Sequence, residues 1–381
     1  MRFPSSKLPD VKTSIFSVMS KLAHEEGAIN LSQGFPNFGA DNDLLALVNT
    51  AINEQNNQYA PMPGIYSLRE AISEKIAAAY GRTYHPENEI TITAGATQAI
   101  FTAIAAFVKQ DDEVIVFKPA YDCYEPAIQL YGGRVVPIQL KGEGFKIDWD
   151  EFKKKLTAQT KMVIINTPHN PSGSILLESD MLQLQKLLKN TDIILLSDEV
   201  YEHIIFDGLH HESAAKYADL ATRSLICASF GKTFHVTGWK VGYCLAPKNL
   251  MIEFQKIHQY NVFSVNHPIQ IGIAKYLQDA NTYLSLSNFY EKKRNLFLSA
   301  IGNSRFKFLP SKGTYFQLLD YSSITDLSDI EFSKQLIKTH KVASIPTSIF
   351  NLNNADNKQL RFCFAKTEDT LSRAADILNK I

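Results

Sequence analysis

The chain has no CxxC pair: its 381 residues hold only four cysteines, Cys123, Cys227, Cys244 and Cys363, widely scattered. That scatter argues against a compact thiolate metal site and a dense disulfide framework. Cys227 and Cys244 stand in apolar, strand-like runs, so buried free thiols in a reducing compartment are expected. Nor is there a surplus of either charge, since Lys+Arg and Asp+Glu number 39 each. A polyanion binder normally carries a basic excess, so neither nucleic acid nor an anionic membrane is an expected partner. No apolar run approaches the roughly 18 residues of a membrane span. The opening stretch, MRFPSSKLPDVKTSIFSVMSKLAHEEG, has no uninterrupted apolar core followed by a small-residue cleavage site. The expected location is the cytoplasm.

What is present is the composition of a globular enzyme, 45% hydrophobic and 20% charged. The length exceeds what one core normally supports, so two subdomains are expected. Short apolar runs rich in β-branched residues occur at 90–93 (ITIT), 114–117 (VIVF), 135–140, 162–166 (MVIIN), 193–197 (IILLS), 225–229 and 241–245. Helical patterns at 97–108, 124–130 and 179–188 separate several of them. Runs this apolar predict strands buried on both faces, hence an α/β fold with a mostly parallel seven-stranded sheet between helices. After about residue 270 helices dominate (271–277, 283–301, 330–338), with strand-like pieces at 315–319 and 360–364. This predicts a large domain over 45–275 and a smaller α+β domain built from 1–44 and 276–381. Ligands in such sheets sit beyond the carboxyl ends of the strands, which directs attention to the residues there.

Lys232, in Ser229-Phe230-Gly231-Lys232-Thr233, follows the run at 225–229. Alone it would pass for a surface lysine in a turn, yet a lysine beside a buried strand can be desolvated enough to condense with an aldehyde. Ser229 and Lys240 could hold a phosphate through a hydroxyl and an ammonium. Asp198 closes IILLS; it is either a cap or a buried carboxylate matched to a protonated ring nitrogen. Tyr201, three residues on, and Asn170, in the turn sequence His169-Asn170-Pro171-Ser172-Gly173, could each reach a phenolic oxygen. Gly95-Ala96-Thr97-Gln98 follows ITIT and opens an apolar helix, whose first amides suit an anion. With no GxGxxG or Walker sequence there, a nucleotide is not implied. Tyr121, after VIVF, is either core or a ring that stacks on a flat ligand.

In this order, on successive strands, these residues resemble the fold-type I pyridoxal-phosphate (PLP) aminotransferases of class I/II. The resemblance runs from Leu31-Ser32-Gln33-Gly34-Phe35-Pro36 to Arg361-Phe362-Cys363-Phe364. It implies a Schiff base between PLP and Lys232, which would also be the proton-transfer base. It pairs Asp198 with the pyridine nitrogen and gives Asn170 and Tyr201 the phenolic oxygen. Ala96, Thr97, Ser229 and Lys240 would take the phosphate, Tyr121 would stack on the ring, and Arg361 would clamp the substrate α-carboxylate. Gly34 would admit backbone near that carboxylate, with Phe35 and Asn170 beside it. Tyr59 matches a tyrosine that reaches the phosphate of the neighbouring subunit, which implies a homodimer with shared sites. Two departures stand out: Lys240 replaces a common arginine, and Gly231 a common serine or alanine.

Residues 262–268 (VFSVNHP) and the QGFPNF opening look most like the kynurenine, glutamine and methionine branch. No arginine is clearly placed for a second substrate carboxylate. A lining of Ile15, Phe16, Phe35, Tyr59, Tyr121 and Phe263 would suit methionine first, then phenylalanine, tyrosine or kynurenine. The expected partners are thus an amino acid and a 2-oxo acid, exchanging an amino group by a ping-pong mechanism. Two rivals remain open: a β-lyase acting on cysteine conjugates or cystathionine, and a PLP-binding regulatory protein. No metal is expected.

Overall fold

The computed structural model describes residues 5–381. Its strands are β1 (Ile29–Asn30), β2 (Ile90–Thr93), β3 (Glu113–Lys118), β4 (Arg134–Gln139), β5 (Thr160–Asn166), β6 (Ile194–Asp198), β7 (Ser224–Ser229), β8 (Gly242–Leu245), β9 (Phe316–Asp320), β10 (Val342–Ala343), β11 (Ile345–Pro346) and β12 (Gln359–Cys363). Seven of them form one sheet in the order β2-β8-β7-β6-β5-β3-β4, parallel except for β8, which runs against both its neighbours. The seven apolar runs of the sequence are these strands, displaced by a residue or two at their ends.

Continuous hydrophobicity in the strands has a direct cause in the packing. Met162, Ile164, Leu196, Leu225 and Cys227 enter one buried cluster with the helices Gly95–Phe107 and Lys248–Asn261. Val163, Ile165, Leu195 and Ile226 enter another with the helices Tyr66–Tyr80 and Glu178–Leu188. Successive side chains point to opposite faces, and both faces are covered, so the runs are apolar apart from a few small hydroxyl residues, such as Thr91 and Ser197, that find hydrogen-bond partners. All four cysteines are free, and three are buried.

In the C-terminal third, β12 lies between β11 and β9 in an antiparallel sheet. The first forty residues join this part through β1, which pairs in parallel with β10. The elements here depart from the sequence expectation. The helix expected over 283–301 is two helices, Asn281–Leu284 and Leu286–Ala300, separated at Ser285. That expected over 330–338 is helical over Asp329–Gln335 and continues as a π-type turn to His340. The strands β1, β10 and β11 are two residues long, too short for any periodicity to show. The helix expected from 271 begins at His267, because Asn266 caps it by accepting from Ile269 N and Pro268 occupies its first turn. No helix among the described residues is long and apolar enough to cross a membrane.

Candidate active site

The carboxyl ends of β2, β3, β5, β6 and β7 open along one edge of the sheet. Because β8 runs the other way, it meets that edge with its beginning, which brings Lys240 to the same place. A cavity of about 420 Å³ lies there, lined by Gly34, Ala96, Thr97, Tyr121, Asn170, Asp198, Tyr201, Ser229, Lys232, Lys240 and Arg361. Residues separated by more than 300 positions in sequence thus meet in one volume of the size that holds small ligands and cofactors.

At one end stands the first turn of the helix Gly95–Phe107, which holds no acidic residue. Such a turn has amides without intrahelical acceptors and a positive dipole end. Gly95 takes φ +78°, and a Cβ built there would lie 3.4 Å from Lys240 Nζ. Gly242, at the start of β8, lets that strand approach within a distance no side chain would permit: an added Cβ would sit 2.4 Å from Ala228 O and 3.1 Å from Ala96 N. The result is a small cradle of amides, the Ser229 hydroxyl and one ammonium.

In the middle of the floor, Asp198 is 3% exposed and accepts a 2.5 Å hydrogen bond from Tyr124 Oη. Burial pushes its carboxyl up to about 6, against the pull of the Tyr124 and Val200 donors. It caps no helix, since residues 199–203 form turns. A raised carboxyl at the bottom of a cavity is a group prepared for a cation. Lys232 faces the same space from the short helix Phe230–Thr233, and burial brings its amine down to about 8. That leaves a useful fraction of free amine near neutral pH, which condensation with an aldehyde requires. Its Nζ donates to Gly34 O at 3.0 Å, and Tyr315 Oη donates to the same oxygen at 2.6 Å. Gly34 has to be glycine for packing reasons: a Cβ would meet Phe316 Cζ at 2.7 Å.

Opposite the cradle, Arg361 occupies the central strand β12 and is 1% exposed, so it is no edge-strand surface charge. One terminal nitrogen donates to Asn170 Oδ1 at 2.7 Å and the other to Ser32 O at 3.0 Å. Its guanidinium carbon lies 3.8 Å from the Phe316 ring centroid and 5.0 Å from that of Phe16. Its Nε is buried without a hydrogen-bond partner. An orphaned buried donor on a fixed cation is a vacancy for an anionic oxygen, and a carboxylate fits it.

Four of the residues singled out in the sequence, Ile15, Phe35, Tyr59 and Phe263, are not brought to this cavity. Tyr59 is 82% exposed, its ring packed edge-on against Phe263 at 5.4 Å. Phe35 points away from Gly34: its ring lies under Lys366 Nζ at 4.9 Å and lines a separate shallow cleft with Asn37, Thr370 and Arg373. Of the expected apolar lining, Phe16 and Tyr121 face the cavity; Ile15, Phe35, Tyr59 and Phe263 do not. Three neighbours escaped the sequence reading: Tyr124, Tyr315 and Phe316. A tyrosine opening the helix Tyr124–Leu130, in line with the apolar Ala127 and Ile128, was the available signal for the first, since a buried phenol needs a partner. Tyr315 and Phe316 carry no such mark, being aromatics at the start of a strand.

These groups suit a ligand with an aldehyde, a basic ring nitrogen and a phosphate, which defines the class of protein as a pyridoxal-phosphate enzyme. Residues 26–378 match the family of class I and II aminotransferases, and the chain belongs to that family. It is an aminotransferase whose cofactor is PLP and whose substrates are amino acids and 2-oxo acids. A methionine aminotransferase of Escherichia coli (strain K12) is 45% identical over 379 residues, covering 99% of this chain and 98% of its own. A solved structure from Escherichia coli, described as having a methionine aminotransferase function, superposes with a TM-score of 0.98 at 45% identity over 100% of both chains. Kynurenine–oxoglutarate transaminase 3 of Rattus norvegicus is 32% identical, covering 99% of this chain and 90% of its own.

Proposed function

We propose that the chain takes the amino group from an apolar or aromatic L-amino acid, methionine first, then phenylalanine, tyrosine and kynurenine, and passes it to a 2-oxo acid. The observation that carries this is the cavity lining: Phe16 and Phe316, which pack on Arg361, with Ile100 and Tyr121 are apolar or aromatic, and Arg361 is the only arginine lining the cavity among the described residues. One carboxylate is provided for and a second is not. The likeness to the Escherichia coli methionine aminotransferase supports the same choice. A single methylene is worth only about 1–3 kcal/mol of discrimination in an apolar pocket, so several substrates are expected.

When bound, PLP supplies the aldehyde that captures the amino group and a ring that withdraws electrons from the substrate Cα. In this reading Lys232 is the covalent anchor and, once released, moves the proton at Cα, held in reach by Gly34 O. Asp198 pairs with the ring nitrogen. Tyr201 Oη and the Asn170 amide nitrogen serve the phenolic oxygen; Asn170 Oδ1 is already engaged by Arg361, which fixes the side chain's orientation. Ala96, Thr97, Ser229 and Lys240 hold the phosphate and Tyr121 covers the ring. The exposed ring of Tyr59 fits a contact with the partner's phosphate in a cytoplasmic homodimer. Residues 45–275 would form the cofactor domain, and 1–44 with 276–381 the domain that carries Arg361.

The test is spectroscopic. Purified protein should absorb in the visible, methionine should abolish that band, and a 2-oxo acid should restore it; Lys232→Ala should lack the band altogether. Pyruvate release from cysteine conjugates with no need for an amino acceptor would favour the β-lyase instead, and a band indifferent to every amino acid would refute the proposal.

A further inference from the structure

The turn that follows Asp198, the last residue of β6, and carries Tyr201 has a second face. Asp198, Val200 and Tyr201 line the cavity, whereas Glu199 and Glu202 point away from it into the protein. Both acids are buried, at 1% and 7% exposure. Glu199 accepts from Ser197 Oγ at 2.7 Å and Ala214 N at 3.0 Å, with His211 Nε2 at 2.7 Å. Glu202 accepts from Lys75 Nζ at 2.7 Å, Tyr80 Oη at 2.8 Å and Tyr243 Oη at 2.8 Å. Lys75 also donates to Tyr243 Oη at 3.0 Å. Lys75 and Tyr80 belong to the helix Tyr66–Tyr80, and Tyr243 to β8, so three side chains from two separate elements converge on one carboxylate.

A buried ion pair of this kind is poorly explained by stability. Removing two charges from water costs about as much as their attraction returns, and apolar pairs of similar volume do as well or better. What such a pair does provide is register, because its geometry admits one arrangement of the groups that satisfy it. Register is what this segment lacks otherwise. Residues 199–203 form turns with no strand partner, held by few backbone bonds, among them Glu199 N to Cys227 O at 2.9 Å and Ile204 N to Tyr201 O at 2.8 Å. Tyr243 packs its ring against Phe230 at 5.2 Å, two residues before Lys232, so the same cluster touches the element that carries the lysine.

We infer that Glu202, clamped by Lys75, Tyr80 and Tyr243, is a positioning residue that fixes the turn following Asp198, whose own place is set by its pairing in β6, so that the Tyr201 phenol meets the cofactor ring in step with that carboxylate. The inference rests on the roles proposed above for Asp198 and Tyr201. A displacement of about 1 Å in such groups costs on the order of a hundredfold in rate.

The experiment compares wild type with the double variant Lys75→Met/Glu202→Leu, which removes both charges and leaves no unpaired ion. Three quantities are read: the Kd of PLP titrated into apoprotein, the pH midpoint of the holoenzyme's visible absorbance, and Tm. The expected result is a folded protein with Tm within a few degrees of wild type, PLP binding at least tenfold weaker and a displaced midpoint. PLP affinity and midpoint equal to wild type, whatever the Tm, overturn the inference. Should the double variant not fold, Tyr80→Phe carries the test by deleting one hydrogen bond to Glu202. It should weaken PLP binding three- to tenfold, and an unchanged Kd refutes the clamp. Tyr201→Phe separates the two layers of the argument. If it leaves the midpoint in place, the role of Tyr201 falls and this inference with it. If it moves the midpoint while the Lys75/Glu202 pair does not, only the clamp falls.

Discussion

Arg361→Lys preserves the charge and removes the geometry. The guanidinium spends two nitrogens on Asn170 Oδ1 and Ser32 O, at 2.7 and 3.0 Å, and keeps Nε unpartnered. Lysine brings a single ammonium on a shorter, rotatable stem, which cannot serve both protein acceptors and still present a fork to a carboxylate. One to two charge-assisted hydrogen bonds to the substrate are lost, each worth about 1.5–3 kcal/mol. The stacking of the planar cation on Phe316, at 3.8 Å, goes as well. A loss of about 2–4 kcal/mol corresponds to roughly 30- to 1000-fold in kcat/KM. Most of it should appear in KM, because the carboxylate is bound equally in the ground state and the transition state. Rapid mixing of holoenzyme with methionine gives kcat/KM for the half-reaction from the decay of the visible band, and titration of apoprotein gives the Kd of PLP. The Kd should stay within about threefold of wild type, since Arg361 bonds to Asn170 and Ser32 and to none of the groups proposed for the phosphate. A variant whose kcat/KM for methionine falls less than threefold would refute the assignment of Arg361 to the carboxylate.

Two further outcomes follow from Asp198. Its carboxyl is raised from 3.8 to about 6 by burial in the ligand-free protein, so the folded state favours the protonated form more than the unfolded chain does. Its contribution to stability is therefore fully present below about pH 4 and lost as the pH rises through 6, by at most about 3 kcal/mol. Chemical denaturation of apoprotein between pH 4 and 8 should show this loss, and Asp198→Asn should flatten it; identical pH profiles for the two would count against a buried Asp198. Tyr124→Phe deletes the donor 2.5 Å from Asp198 Oδ2. It should weaken PLP binding about tenfold, the equivalent of one hydrogen bond to a charged group, as measured by equilibrium titration; an unaltered Kd would show that the phenol is not holding the carboxylate for the ring nitrogen.

The amino-acid sequence by itself determined the layered sheet. Residues such as Met162 through Ile165 are apolar at every position because the strand is covered on both sides, and that pattern is local. It also marked Lys232, Asp198 and Asn170, because in a parallel sheet the functional positions follow the strands at predictable places. What the sequence could not contain was distance. That Arg361 reaches Asn170, 191 positions away, depends on how β12 docks over the cavity, and no periodicity encodes that. Phe35 stands beside Gly34 in sequence yet faces Lys366 in a different cleft, since the chain bends through residues 32–35 and turns neighbouring positions apart. Tyr124 looked like one more helix residue until the fold placed it under Asp198. The two acids flanking the cofactor side of the same turn, Glu199 and Glu202, would pass in sequence for surface charges. Only tertiary convergence makes them buried: the helix Tyr66–Tyr80 and β8 close over Glu202, and Ser197, His211 and Ala214 N over Glu199, because an ion becomes an interior group when the elements around it supply hydrogen bonds.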